Sequence, residues 1–291
     1  MKVQVFIVIA ALFICCYSGS EGAGQTADNV RKASSTHASS TAVSTAPSPT
    51  KQNEFNWRGK IASGGLVEIV AISGDIRIEI VEEGEVEVVA LKNGNEKEFD
   101  RVRIQVKEST GGIKVCSAYL AMEEQGKYEC PELQGPNSIQ FDGNRQLRLG
   151  YRNGETRTFQ LADVRTQLTV RIPRAARLAA RTHTGNVEAE WLTKVSPAPT
   201  ASSDLRASRV AYNLSGPIDL SSHIGDVRLT LSQTIGARVR LVTANGAIAT
   251  DFPVTVPGGF RGKGLEGNLG QGGPKIALST HLGDVELRHA R

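Results

Sequence analysis

Aromatic residues make up only 5% of this 291-residue chain, and methionine occurs twice. So few rings suit thin, Val/Ile/Leu-lined strands better than a large ligand pocket walled by aromatics. Neither sign of charge dominates. The 34 Lys and Arg face 30 Asp and Glu, giving a formal net charge of +4, and both signs are mixed along the chain without blocks. That pattern argues against nucleic acid as a partner. A sustained 3.6-residue period is missing, so helices have almost no place; Ala175 to Ala180 could form one turn after Pro173. No Gly-x-Ser-x-Gly elbow and no His-Glu-x-x-His motif occurs. The expectation is a protein without catalytic residues, metal or cofactor, and not an enzyme.

Cysteine is also scarce, with four residues, two of them in the one long apolar run. Met1-Lys2 followed by Val3 to Cys16 reads as a secretory signal, too short for a membrane span, with cleavage after Ser20 and residues 1–20 removed. A competing reading makes Cys15 or Cys16 a lipid-modified N-terminus, although Ile14 is a poor neighbour for that processing. Residues 21–53 are rich in Ser, Thr, Ala and Pro and bury too little to offset their ordering entropy, so they read as a disordered tether, the only possible membrane attachment. Removing the signal leaves Cys116 and Cys130, which in an exported chain read as a disulfide. Closing a loop of that length stabilises a fold by roughly 3 kcal/mol in the chain-entropy treatment.

Glycine, by contrast, is abundant at 30 residues, and it recurs in one phrase. Gly225-Asp226-Val227-Arg228-Leu229-Thr230-Leu231 is matched at Gly74-Asp75, Gly84-Glu85, Gly185-Asn186, Gly216-Pro217 and Gly283-Asp284, each followed by alternating apolar positions. Alternation puts Val227, Leu229 and Leu231 on a buried face and Arg228 and Thr230 on a wet one. Turn glycines at 216, 225, 236 and 246 set a beat of about ten residues per strand. The fold class is therefore all-β over residues 54–291, either a β-solenoid-like stack of short strands or an antiparallel sandwich. Gly-Asp order rather than Asp-Gly favours the solenoid. Residues 130–163 are less regular.

Phe55-Asn-Trp-Arg-Gly-Lys-Ile61, Val67 to Arg77, the run at 111–119, Thr-His-Thr-Gly-Asn-Val at 182–187 and Gly272 to Thr280 together resemble the exported bacterial β-strand-repeat proteins grouped as putative adhesins. The resemblance implies a surface or periplasmic β-repeat protein and carries no catalytic residues or defined ligand. Leu282-Gly283-Asp284 stands where that family usually has Asn-Gly.

Several constellations suggest chemistry and fall short of it. Gly262-Lys-Gly-Leu-Glu-Gly267 has the letters of a dinucleotide loop but no helix after it. Asp75, Asp226 and Asp284 could offer calcium ligands, yet the spacing fits turn chemistry better. His183, His223 and His281 each precede a turn, but forty residues separate the first two, so they read as solvent-facing rather than as a stacked metal ladder. Trp57 and Trp191 read as core packing. The functional expectation is an adhesin-like or structural role at the envelope, periplasm, cell surface or exterior, toward an unknown protein or glycan. Its surface is placed around Arg228, Arg238 and Arg240. The alternatives are a glycan-binding or glycan-acting module, and a module that binds a protein partner by edge-strand addition.

Overall fold

The computed structural model describes residues 53–121, 128–131, 139–141, 145–150, 154–191, 216–231, 235–256 and 264–290. The expected signal at 1–20, the expected tether at 21–53 apart from Asn53, and Cys15 and Cys16 lie outside them. The described chain is all-β, as the alternation requires, with one short 3-10 helix at Glu96–Arg101. That helix starts at Asn95, whose side chain accepts from the Lys97 amide and stops the chain continuing as a strand.

The architecture is a stack of L-shaped rungs, each made of two strands joined at a sharp glycine corner. Rung I is the long strand Leu66–Val81, bent at Gly74. Rung II is Arg177–Thr184 with Val187–Trp191, and rung III is Ile218–Ile224 with Val227–Leu231. Rung IV is Lys275–Leu282 with Val285–His289, and rung V is Ala237–Asn245 with Ile248–Thr250. Neighbouring rungs pair in parallel and in register on both arms. The second arms form one sheet and the first arms another.

Stacking does not follow chain order. The chain leaves rung III and reaches rung V directly, with corner glycines at 225 and 246, which leaves a gap one strand wide. Residues 275–289 return to fill that gap as rung IV. At the ends of the stack antiparallel pairing takes over beyond the strands that flank rung I in parallel and beyond rung V. Glu54–Gly59, Val86–Gly94 and Val164–Pro173 close the first sheet, with antiparallel pairing among them. Val102–Ser109 pairs antiparallel with Gly112–Ala121 at one end of the second sheet, and Gly264–Leu269 with Ala237–Asn245 at the other. The architecture thus has features of both expected folds.

Register turns a sequence pattern into continuous core rows. Ile69, Ala180, Leu220, Leu278 and Leu241 line one inner face, and Ile76, Val187, Val227 and Val285 line the other, all buried. Trp191 is buried in the same core and Trp57 packs against it. A second cluster, with Phe99, Tyr119, Leu147, Leu149 and Phe159, covers the outside of rung I at Ile72. Residues 130–163 contribute to it through the antiparallel strands Gln146–Gly150 and Thr156–Gln160. Cys116 and Cys130 form a disulfide with Cα atoms 5.6 Å apart, beside buried Val70 and Ala118.

Two polar ladders hold the corners. Each corner Asx side chain accepts a hydrogen bond from the amide of the next rung's corner. Asp75 Oδ1 accepts from Asn186, Asn186 Oδ1 from Asp226, Asp226 Oδ1 from Asp284 and Asp284 Oδ1 from Ala247, at 2.7–2.9 Å. One residue of each of rungs II to V, three before the glycine, supplies a buried hydroxyl. Thr182, Ser222, Thr280 and Thr243 each donate to the corner-glycine carbonyl of the preceding rung, at 2.7–3.0 Å. The Asp residues therefore serve turn chemistry, but between rungs rather than within one turn. Asp226→Ala should lower stability by about 1 kcal/mol, whereas Asp226→Asn, which keeps the acceptor and copies Asn186, should change it little. Urea unfolding midpoints of the two variants check this.

Candidate functional site

The two outer faces differ in how their charges are used. On the first sheet, the outward side chains of successive rungs are cross-paired. Arg228 Nε lies 2.6 Å from Glu286 and its Nη1 lies 3.9 Å from Glu188, while Arg288 bridges Glu286 and Asp251 at 3.1 Å. Arg171 similarly joins Glu79 and Glu87. Such exposed pairs add little stability individually, but they leave few charges uncompensated.

Glu190, Asp251 and Glu286 converge on an open depression with Arg228 and Arg288. An open groove with several carboxylates is the kind of place where glycoside hydrolysis is built. Hydrogen bonds from Arg288 and Arg228 hold the Glu286 carboxyl below its usual range. Asp251 is fixed by Arg288 and by the His289 amide, and Glu190 lies 3.7 Å from Arg77. A glycosidase acid needs a carboxyl kept protonated near neutral pH, and the Arg pairing of Glu286 pushes the other way.

On the second sheet, residues one strand apart form outward rows. One row runs Leu66, Arg177, Pro217, Lys275 and Arg238; the next runs Glu68, Ala179, Asp219, Ala277 and Arg240. Over rungs I to IV these rows form a shallow groove running along the stack, where Arg177, Pro217 and Lys275 face the small Ala179 and Ala277 with Asp219 between them. Asp219 is held by Arg181 at 3.4 Å, and Arg177 Nε donates to the Gly64 carbonyl. Lys275, Arg238 and Arg240 are exposed and have no salt-bridge partner among the described residues. Glu266 stands opposite Arg240 across the capping strand.

The three arginines named from the sequence are therefore divided. Arg238 and Arg240 share the second sheet's outer face with Lys275, which the sequence reading missed because residue 275 belongs to a distant segment. Arg228 is on the first sheet, inside the ion-pair network. Of the turn glycines, 74, 185, 225, 246 and 283 form the rung corners; Gly84 has the same positive φ outside the stack, and Gly216 and Gly236 lead into rungs III and V.

The histidines require a correction. His183 and His223 stack at 4.7 Å between ring centroids, and His223 and His281 at 4.8 Å, with nearly parallel rings. His183 is buried rather than solvent-facing. Forty residues separate the first two in sequence, yet they occupy adjacent rungs, because Ile218–Ile224 pairs in parallel register beside Arg177–Thr184. Each His stands two residues before its corner glycine, next to the inward hydroxyl, and so points outward. Burial and the neighbouring His223 push the His183 pKa down to about 4; burial and His281 lower that of His223. Parallel stacked rings aim their in-plane lone pairs side by side rather than at one point, and no group of three metal-ligating side chains suited to one ion occurs among the described residues.

The dinucleotide-like letters are partly accounted for: Gly264–Leu269 is an antiparallel strand, not the start of a helix. No described helix is long and apolar enough to cross a membrane. No family profile matches the chain, and no curated protein matches it in sequence. Among solved structures, a putative cell adhesion protein from Clostridium sporogenes is similar at 9% identity and a TM-score of 0.41, covering 82% of this chain and 99% of its own. A putative adhesin from Bacteroides fragilis is similar at 8% identity and a TM-score of 0.18, covering 81% and 98%. Likeness at this level carries no functional information.

Proposed function

We propose that this chain is an exported, non-enzymatic β-repeat protein that presents the outer face of its second sheet to an envelope or extracellular component, in an adhesin-like role. The observation that carries the reading is the contrast between the two outer faces. The outward Arg and Glu side chains of the first sheet are largely cross-paired, whereas rungs IV and V of the second expose three basic side chains without ion-pair partners among the described residues. A parallel stack tied by corner ladders holds such side chains at fixed spacing, so recognition needs little reordering. The disulfide supports an oxidising compartment, and the apolar leader supplies the route there.

The test is a binding screen of the full chain, with its disulfide intact, against immobilised glycans and cell-envelope fractions. Saturable binding that the reading requires should appear in at least one class. Absence of binding by folded protein, or release of reducing sugar from a glycan, would contradict it.

A protein partner joined by strand addition has its own support. Glu54–Gly59 and Ile248–Thr250 each pair on one side only among the described residues. Binding confined to envelope proteins and lost on blocking these edges would favour that mode.

A further inference from the structure

We infer that the groove along the second sheet binds a linear acidic polysaccharide, its carboxylate or sulfate groups meeting Lys275, Arg238 and Arg240. The inference rests on the binding role proposed above and specifies its ligand. Three features support it.

The groove runs across the strands, along the stack axis, so a chain lying in it meets successive rungs about 4.8 Å apart. Arg177 on rung II and Lys275 on rung IV line the groove, and Arg238, the register partner of Lys275, continues the same outward row onto rung V just past its end. Arg240 lies two residues beyond Arg238 on the same outward face. Arg177, Lys275 and Arg238 thus lie in one row along the stack, with Arg240 beside its end, an arrangement on an open face that matches a polymer with repeated anionic groups better than a single small anion.

The groove's floor is small and flat. Ala179 and Ala277 offer no bulk, and Ser221 and Ser279 lie in the next outward row as hydroxyls able to donate to sugar oxygens. The acid among the groove residues, Asp219, is already engaged by Arg181. Aromatic platforms, on which single-stranded nucleic acid would stack, are missing from these rows.

Charge complementarity of this kind favours encounter and specificity, and it weakens with salt because the groups are exposed. A chain with a net charge of only +4 has a weak general attraction for polyanions, so strong binding must depend on where the charges lie. That makes the inference testable by placement rather than by total charge.

The probes are dextran sulfate and polygalacturonate, with unmodified dextran and a single-stranded oligonucleotide as comparisons, measured by calorimetry on the full chain at low and high salt. Wild type should bind the two acidic polysaccharides, more weakly at high salt, and not dextran. The triple change Lys275→Glu, Arg238→Glu, Arg240→Glu should weaken binding about tenfold or more, since three favourable contacts become repulsive. A control triple, Lys60→Glu, Lys97→Glu and Lys107→Glu, makes the same change in net charge at exposed sites elsewhere and should weaken binding less than about threefold. Gln at 275, 238 and 240 provides a milder version if the Glu variant fails to fold; it should weaken binding while leaving the unfolding midpoint unchanged.

Equal losses in both triples would overturn the inference, as would failure of wild type to bind either acidic polymer. Tighter binding of the oligonucleotide than of both polysaccharides would overturn the ligand class. Saturable binding of a neutral glycan or an envelope protein, unaffected by the 275/238/240 changes, would overturn this inference while leaving the broader binding role standing.

Discussion

Gly225→Ala is expected to destabilise the fold by more than about 4 kcal/mol, in the range reserved for severe steric and backbone defects. Two costs combine at this position. The residue has φ +139°, which an L side chain rarely adopts, and a Cβ there would lie 2.2 Å from the Gly185 carbonyl oxygen on the adjacent rung. Relief would require separating rungs II and III, where the Gly185 amide bonds Ile224 and the Ser222 hydroxyl bonds the Gly185 carbonyl. Gly84→Ala provides the comparison. Its φ is +139° too, but an added Cβ meets nothing within 4 Å, so backbone strain alone should cost about 1–2 kcal/mol. Urea unfolding of both variants separates the terms; equal losses would show that close rung packing does not set the glycine requirement.

Acid should weaken the stack well before its carboxylates protonate. His183 has a folded pKa of about 4, below its ordinary value of 6.5, because the ring is buried and neighbours His223. Between those values the unfolded chain binds more protons than the folded one, so stability rises with pH. The contribution is therefore fully present above about pH 6.5 and lost as pH falls toward 4. From pH 7.5 to pH 5 the His183 share of the loss is about 2 kcal/mol, and at most about 3 kcal/mol by pH 4. The lowered pKa of His223 acts in the same direction. Glu286, held low by its arginines, contributes stability that falls away in more acidic solution. Unfolding free energies at pH 7.5 and pH 5 test the assignment. His183→Leu, which extends the apolar character of Ile72 along the same row, should remove most of the pH dependence in that interval. An unchanged slope would show that His183 does not carry it.

The sequence makes the rungs legible but not their neighbours. Alternation at Val227, Leu229 and Leu231 identifies the buried face, and the Gly-Asp phrases mark corners, because period-2 burial and positive φ are local requirements. The order of stacking is non-local. The ten-residue beat through Gly216, Gly225, Gly236 and Gly246 suggests that rungs III and V touch, yet residues 275–289 lie between them. That return places Lys275 beside Arg238 and His281 beside His223, so both the basic face and the histidine row were hidden from spacing alone. The shared phrase Thr/Ser-His-x-Gly-Asn/Asp-Val at 182–187, 222–227 and 280–285 was the available signal. Equivalent positions in an in-register stack fall in one row, whatever length of chain separates them.

The insertion of rung IV between rungs III and V underlies the candidate site, and paired cysteines test it directly. Ser221 and Ser279 are register partners on adjacent rungs, as are Ser279 and Val242, whereas Ser221 and Val242 stand two rungs apart, about 9.6 Å. With the native disulfide kept oxidised, a short thiol-bridging reagent should link Ser221→Cys with Ser279→Cys in high yield and leave the Ser221→Cys, Val242→Cys pair largely unlinked. Efficient linking of 221 to 242, with 221 and 279 unlinked, would mean that the rungs stack in chain order and would contradict the basic face as described.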